Sequence, residues 1–152
     1  KAEFHVAGCE ANIKYADLLK IAEELEIAPS VVFHGMVEKP CEFMAACDIG
    51  VIASLGSEAV SRAALEWLAS GRPLVSTSAG SLPEYAAPGW LVPPGDHAAL
   101  AEKISRLLSD PSRIKTMGEE NRARAARDFS EEAFAAATVR AFEEAALRPK
   151  GL

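Results

Sequence analysis

The sequence has few of the features that mark membrane, disulfide-rich or metal-binding proteins. No apolar run approaches the roughly 20 residues that a membrane-spanning helix requires. The three cysteines, Cys9, Cys41 and Cys47, include no C-x-x-C pair, and we expect them to be reduced thiols of a cytoplasmic protein. The three histidines are scattered rather than set at zinc-ligand spacing, so no metal is expected.

Positive charge is also scarce. The 16 lysines and arginines are outnumbered by 22 acidic residues, which gives a formal net charge of −6. Proteins that bind the phosphate backbone of nucleic acids are basic, so we do not expect nucleic acid as a partner. No signal peptide is recognisable, and the chain begins at Lys1 within a strand-like segment, which indicates a fragment of a longer protein.

The chain has the length of about one globular domain, with 152 residues, and segments of strand and helix character alternate along it. Strands are predicted at 4–8, 31–35, 48–54, 73–78 and 89–94, and helices at 12–26, 41–47, 59–70, 96–109, 111–127 and 130–147. Apolar strands separated by helices predict an α/β fold. We expect a doubly wound parallel sheet with helices on both faces, followed by a helical C-terminal tail.

Capping residues mark the ends of several predicted helices. Asp96 and Ser130 are suited to be N-caps, and Pro111 to be the first residue of a helix. Gly71 stands in the C-cap position after the helix at 59–70, with Pro73 beyond it.

Small and polar residues follow the carboxyl ends of the predicted strands, which is the edge at which doubly wound sheets bind ligands. The segments concerned are 8–10, 34–36, 54–58 and 76–80. There Ser54 and Ser57 are suited either to hydrogen-bond a phosphate or to cap the next helix. Weaker candidates, each with a packing or capping alternative, are His34, Ser76, Thr77, Gly80 and Glu84.

The run SEAVSRAALEWLASGRPLVST at 57–77 is the most informative one. Glu58 and Glu66 stand eight positions apart across the start of a predicted helix. If that helix begins near Val60, the amides of residues 60–63 lack intrahelical partners and carry a partial positive charge that suits a diphosphate. Glu66 is then placed to accept hydrogen bonds from a ribose diol, and Glu58 from hexose hydroxyls. These features together fit a nucleotide-sugar.

A second explanation of the same residues needs no ligand. Glu58–Arg62 and Arg62–Glu66 are both i,i+4 pairs, which together stabilise a solvated helix by about 0.5 kcal/mol. The helix dipole by itself also favours acidic residues in a first turn. From the spacing alone this explanation is the stronger one.

The same run resembles the signature of the group 1 retaining glycosyltransferases of the GT-B fold. That signature is a Glu, seven residues, a second Glu, a small-residue stretch, Gly-x-Pro and an apolar strand. FHVAG, VVFHGMV, DIGVIAS, GSLPE and GWLVPPGD also occur in the order of the family, so the resemblance covers essentially the whole chain. It implies a Rossmann-like nucleotide-sugar-binding domain at 1–128. It also implies a closing helix at 129–152 that packs on an acceptor-binding N-terminal domain.

The resemblance assigns roles to individual residues. Glu58 corresponds to the Glu that contacts the transferred sugar and is the catalytic candidate, and Glu66 to the one that holds the ribose. Met36 and Val37 correspond to the segment that meets the base through its backbone, and Gly8 to a glycine that allows close approach of the ligand. The candidate donor-binding residues are therefore Gly8, Gly35, Met36, Val37, Ser54, Val60, Ser61, Arg62, Ala63 and Glu66.

The implied reaction is metal-independent transfer of a hexosyl unit, with retention, from a UDP- or GDP-hexose to a cell-envelope glycan or lipid. No metal or other cofactor is implied. The expected location is the cytoplasm or the inner face of the membrane, where the arginines at 122, 124 and 127 offer a peripheral contact as an alternative to a solvated helix face.

The chain departs from the family in three respects. Cys9 and Glu10 stand where the family has a second small residue after the glycine. The Arg/Lys pair that neutralises the leaving diphosphate has no counterpart after Lys1, so we expect weak donor binding and no turnover. A central strand is also missing, and either the flanking strands close the gap or a partner chain fills it.

Two other functions stay open from the residues. One is a hydrolase that uses Glu58 and Glu66 as acid and base, which needs the two carboxyls about 5–10 Å apart. The other is a non-catalytic doubly wound binding or interaction module.

Overall fold

The chain folds into two compact units, Lys1–Pro40 and Cys41–Leu152. The structure, a computed structural model, describes residues 2–10, 13–56 and 59–147. Among these residues no helix is long and apolar enough to cross a membrane.

The first unit is a β-α-β arrangement. Strands β1 (Phe4–Ala7) and β2 (Val31–Gly35) pair in parallel, with helix α1 (Tyr15–Glu24) in the connection between them. The ring of Tyr15 packs on Phe33 of β2 with 4.9 Å between the ring centroids. Because parallel strands need a crossover, the helical periodicity between the two apolar segments correctly predicts this unit.

The second unit contains a three-stranded parallel sheet and the remaining helices. The strand order is β3-β4-β5, so β4 is central. Helix α2 begins at the last residue of the first unit. The elements are α2 (Pro40–Ala46), β3 (Gly50–Ile52), α3 (Arg62–Ala69), β4 (Leu74–Thr77), β5 (Leu91–Val92), α4 (His97–Leu108), α5 (Pro111–Asp128) and α6 (Glu131–Leu147).

Strand β4 is buried along its whole length, as a central parallel strand requires. Leu74 packs in a cluster that includes Trp67 and Leu68 of α3. The next residue, Val75, packs in a second cluster with Trp90 and with side chains of α4 and α5. Since successive side chains of a strand point to opposite faces, helices cover both faces of this sheet. The predicted α/β class, with parallel strands flanked by helices and a helical C-terminal part, is confirmed.

Hydrogen bonds divide the strands between the two units. Within the described ranges they join β1 to β2 in the first unit, and β3, β4 and β5 to one another in the second. How the place of the missing strand is filled stays a prediction.

Helix α5 lies close to the turn that follows α3 because two glycines meet there. A Cβ placed on Gly118 would be 2.2 Å from the carbonyl oxygen of Gly71. Gly71 has a φ of 70°, the left-handed conformation that commonly ends a helix. Beside this contact, the Asn121 side-chain amide donates to the Arg72 carbonyl oxygen at 2.8 Å. The missing side chain at 118 thus permits the packing.

The predicted N-caps are confirmed. The side chains of Asp96 and Ser130 each accept a hydrogen bond from the backbone amide three residues further on. Pro111 is the first residue of α5, but its N-cap is Asp110, which sequence reasoning did not single out. Hydrogen bonds from the Ser112 hydroxyl and from a backbone amide hold the pKa of Asp110 below its ordinary value.

The last helix, α6, leaves an apolar stripe exposed. Phe134, Val139 and Phe142 have exposed fractions of 72%, 57% and 74%. The packing of this helix on an N-terminal domain, and the domain boundary between residues 128 and 129, stay predictions.

Candidate functional site

The candidate glycines of the first unit meet at the carboxyl ends of β1 and β2. Gly8 donates its amide to the Gly35 carbonyl oxygen at 2.8 Å, and its own carbonyl accepts the Tyr15 hydroxyl. The φ angles of Gly8 and Gly35 are 145° and 66°, which other residues rarely adopt. A Cβ placed on either glycine would meet no atom within 4 Å, so close approach to this backbone is open.

Residues next to these glycines have mixed roles. The side chain of Met36 is 71% exposed and Val37 is half-buried, and their contact with a base stays a prediction. Glu10 accepts a hydrogen bond from the Tyr15 amide at 2.7 Å, at the start of α1, where the N-cap residue Lys14 supplies no side-chain hydrogen bond. The departure from the family at position 10 thus has a structural reason.

His34, a weaker candidate, interacts with a histidine of the neighbouring strand. Its Nε2 lies 2.8 Å from Nδ1 of His5, and the two rings are stacked with 5.1 Å between their centroids. This contact accounts for His34 without a ligand.

In the second unit, helix α3 begins at Arg62 and not near Val60, which corrects the predicted start by two residues. The N-cap is Ser61, which is 4% exposed and whose side chain makes no capping hydrogen bond. The first intrahelical bond runs from the Leu65 amide to the Ser61 carbonyl at 3.3 Å. The amides of the first turn therefore belong to residues 61–64. Ala64 joins the predicted set and Val60 lies before the helix.

Glu66 lies one turn further along α3, with a side chain that is 27% exposed. Its Oε1 is 3.7 Å from a guanidinium nitrogen of Arg62, whose side chain is 88% exposed. The ion pair predicted by the ligand-free explanation therefore exists, and Arg62 is directed along its own helix. Glu58 and Ser57 lie outside the described residues, so the catalytic candidate and its partners have no structural account here.

The serine and threonine at the end of β4 are both buried. Ser76 is 0% exposed and Thr77 is 2% exposed. The Ser76 hydroxyl donates to the Thr77 carbonyl at 3.0 Å. The Thr77 hydroxyl donates to the carbonyl oxygen of Ser54 at 2.6 Å. The predicted role of Ser76 as a pocket-lining residue is therefore wrong.

Residues 1–110 match the model of the family described as Glycosyl transferases group 1. The chain belongs to this family. The chain also has the GT-B, Rossmann-like architecture that the resemblance implies, because solved structures of that architecture superpose on it. HepE from Anabaena in complex with UDP does so with a TM-score of 0.87 at 22% identity, over 94% of this chain and 41% of HepE.

Curated relatives are longer than this chain. The MMP alpha-(1->4)-mannosyltransferase of Mycolicibacterium hassiacum is 36% identical over 115 residues, which are 73% of this chain and 28% of the relative. The N-acetyl-alpha-D-glucosaminyl L-malate synthase of Bacillus anthracis is 28% identical over 122 residues, which are 78% of this chain and 32% of the relative. The chain thus spans about a third of the length of these relatives.

Two of the arginines of α5 make contacts within the chain, whereas Arg122 is exposed. Arg124 donates to the carbonyl oxygens of Tyr85 and Glu84 in a preceding turn. Arg127 pairs with Asp128 through two hydrogen bonds of 2.7 and 2.8 Å. Peripheral membrane contact through this face stays a prediction.

Two depressions mark the surface of the second unit. One of about 300 Å³ lies at the candidate edge, with Leu55, Thr77, Gly95 and His97 in its lining. A larger one of about 500 Å³, lined in part by Asp48 and Arg122, lies where β3 and β4 begin. We favour the smaller as part of the site because the larger lies at the amino ends of the strands, opposite the edge at which such sheets bind ligands.

Cys47 lacks the features of a reactive thiol. Cys9, Cys41 and Cys47 are unbridged. Burial, together with the neighbouring carboxylate of Asp48, raises the pKa of the Cys47 thiol, which disfavours the reactive thiolate.

Proposed function

We propose that this chain is the nucleotide-sugar-binding part of a retaining, metal-independent glycosyltransferase that transfers a hexosyl unit to a cell-envelope glycan or lipid. The observation that carries the proposal is the start of α3. There a buried N-cap without a side-chain hydrogen bond leads into a turn of backbone amides, and a partly buried carboxylate follows one turn later. That HepE structures hold UDP and UDP-glucose supports a nucleotide-sugar as the ligand class.

The first turn of α3 is proposed to hold the diphosphate. Four backbone N–H groups lie before the first intrahelical hydrogen bond of α3, namely those of Ser61, Arg62, Ala63 and Ala64. The helix dipole adds about half a positive charge at this end of the helix. A side-chain cap usually consumes one of these donors, but Ser61 does not. An anion can therefore bind here without a basic side chain.

The two glutamates are proposed to act at the two ends of the ligand. Glu66 accepts hydrogen bonds from the ribose hydroxyls, for which its partial exposure leaves room beside Arg62. Glu58 contacts the hexose, and the donor phosphate leaves while helping to deprotonate the acceptor. Helix amides and cationic residues stabilise the negative charge of the leaving diphosphate, and a metal ion is therefore not needed for this purpose.

This chain alone is expected to bind nucleotide weakly and to transfer no sugar. The cationic pair of the resembled family has no match in it, and such clamps contribute several kcal/mol to transition-state stabilisation. The acceptor-binding half is likewise proposed to reside outside these 152 residues.

Isothermal titration tests the proposal. We expect UDP or GDP, and the matching nucleotide-hexose, to bind the 152-residue chain with a Kd of about 0.1–1 mM, which corresponds to a binding free energy of about 4–5.5 kcal/mol. The matched control is the nucleoside monophosphate, which lacks the second phosphate and should bind about tenfold more weakly. Absence of binding by every nucleotide at millimolar concentration would favour the non-catalytic interaction module instead.

A further inference from the structure

The end of β4 is tied to the segment that follows β3 by a side chain. The β3–β4 ladder ends where Ile52 faces Ser76. One residue later, the Thr77 hydroxyl donates to the carbonyl oxygen of Ser54 at 2.6 Å, two residues beyond the end of β3. The backbone at this position is engaged on the other side, where Thr77 faces Val92 of β5. The threonine hydroxyl thus extends the connection between β3 and β4 past the end of the strands.

This connection lies where the loop between β3 and α3 begins. Described parts of that loop are solvent-exposed, with exposed fractions of 76% for Leu55 and 67% for Val60. Its far end is the buried N-cap Ser61, which is 4% exposed. The Ser54 carbonyl therefore marks where the loop leaves the sheet, and Thr77, itself 2% exposed, holds that point.

We propose that Thr77 is a positioning residue. By fixing the Ser54 carbonyl it sets the point at which the segment after β3 leaves the sheet on its way to the first turn of α3. The expected effect on ligand binding rests on the proposed function, whereas the expected effect on the segment after β3 can be measured in the free chain. A residue at this place needs a side chain small enough to be buried beside β5 and a hydroxyl to donate. Threonine and serine satisfy both requirements, whereas valine keeps the shape and loses the donor.

The test compares Thr77→Val and Thr77→Ser with Ser76→Ala, a matched control. Ser76 is buried on the same strand, and its hydroxyl donates only to the carbonyl of Thr77 among its described hydrogen bonds. In the free 152-residue chain we expect Thr77→Val to speed amide hydrogen exchange of a peptide spanning residues 54–61 at least about tenfold. Thr77→Ser and Ser76→Ala should leave that exchange within twofold of the parent, even where they lower Tm.

Titration with UDP-hexose and GDP-hexose, well below each variant's Tm, supplies the functional readout. Thr77→Val should raise the Kd about tenfold, Thr77→Ser should restore it, and Ser76→Ala should leave it unchanged. Unaltered exchange and unaltered Kd in Thr77→Val, or equal effects of Ser76→Ala, would overturn the inference. If the parent chain bound no nucleotide, the proposed function would fail, and hydrogen exchange alone would decide for or against Thr77. If the Thr77→Val variant does not fold, the Thr77→Ala variant takes its place in both measurements.

Discussion

The Gly118→Ala variant is expected to be about 1–3 kcal/mol less stable than the parent chain. Alanine at this helical position gains about 0.5–1 kcal/mol of intrinsic helix stability over glycine. Its Cβ, however, would lie 2.2 Å from the Gly71 carbonyl oxygen, which is backbone and cannot rotate away. Overpacking of this kind costs about 1–3 kcal/mol or more, and separating the two backbones also loosens the hydrogen bond from Asn121 to the Arg72 carbonyl. The clash therefore outweighs the helix propensity.

Thermal and urea unfolding measure this effect, for which we expect a fall in Tm of roughly 3–10 °C. Gly89→Ala is the matched control, since a Cβ placed there meets no atom within 4 Å and its φ is not in the left-handed region. It should change the free energy of unfolding by less than about 0.5 kcal/mol. A Gly118→Ala chain as stable as the Gly89→Ala chain would show that α5 does not approach Gly71 as described.

The Glu66→Ala variant is expected to raise the Kd for a nucleoside diphosphate at least about tenfold. A carboxylate that accepts hydrogen bonds from a ribose diol contributes about 1.5–3 kcal/mol, equivalent to roughly 10–100-fold in affinity. The ion pair with Arg62 cannot account for such a loss. Its cationic partner is 88% exposed, and pairs of that kind contribute about 0.2–1 kcal/mol to folding.

The control for Glu66→Ala is Glu119→Ala. Glu119 also belongs to an exposed i,i+4 pair, with its Oε1 4.0 Å from Nζ of Lys115, so the change in net charge and the lost ion pair are matched. Titration should give the parent Kd for Glu119→Ala. A Glu66→Ala chain that binds nucleotide as the Glu119→Ala chain does would support the solvated-helix explanation of the two glutamates.

Elements whose ends are marked by capping residues, proline or glycine were predictable from the sequence. β2 occupies 31–35 as predicted, and Asp96, Ser130 and Pro111 begin their helices as expected. In these places apolar periodicity and the chemistry of a cap specify the same boundary, and neither depends on distant parts of the chain.

Contacts between distant residues were not predictable. The Thr77 hydroxyl reaches a carbonyl 23 positions away, and Gly118 meets Gly71 across 47 positions. An isolated glycine inside a helical pattern was the available signal for the second contact, since such a residue often marks a close backbone approach. The start of α3 was misplaced because Ser61 is an N-cap by its backbone conformation without a side-chain bond, which residue type alone does not reveal.

The central claim is that the amides opening α3 hold a diphosphate, and an amide-detected NMR titration of the 152-residue chain with UDP and with GDP tests it most directly. We predict that the backbone resonances of residues 61–64 shift most, in a saturable manner, and that those of Gly71 and Arg122 beside the larger depression stay in place. Saturable shifts confined to that depression, or no shift at 61–64 when the nucleotide binds, would contradict the account.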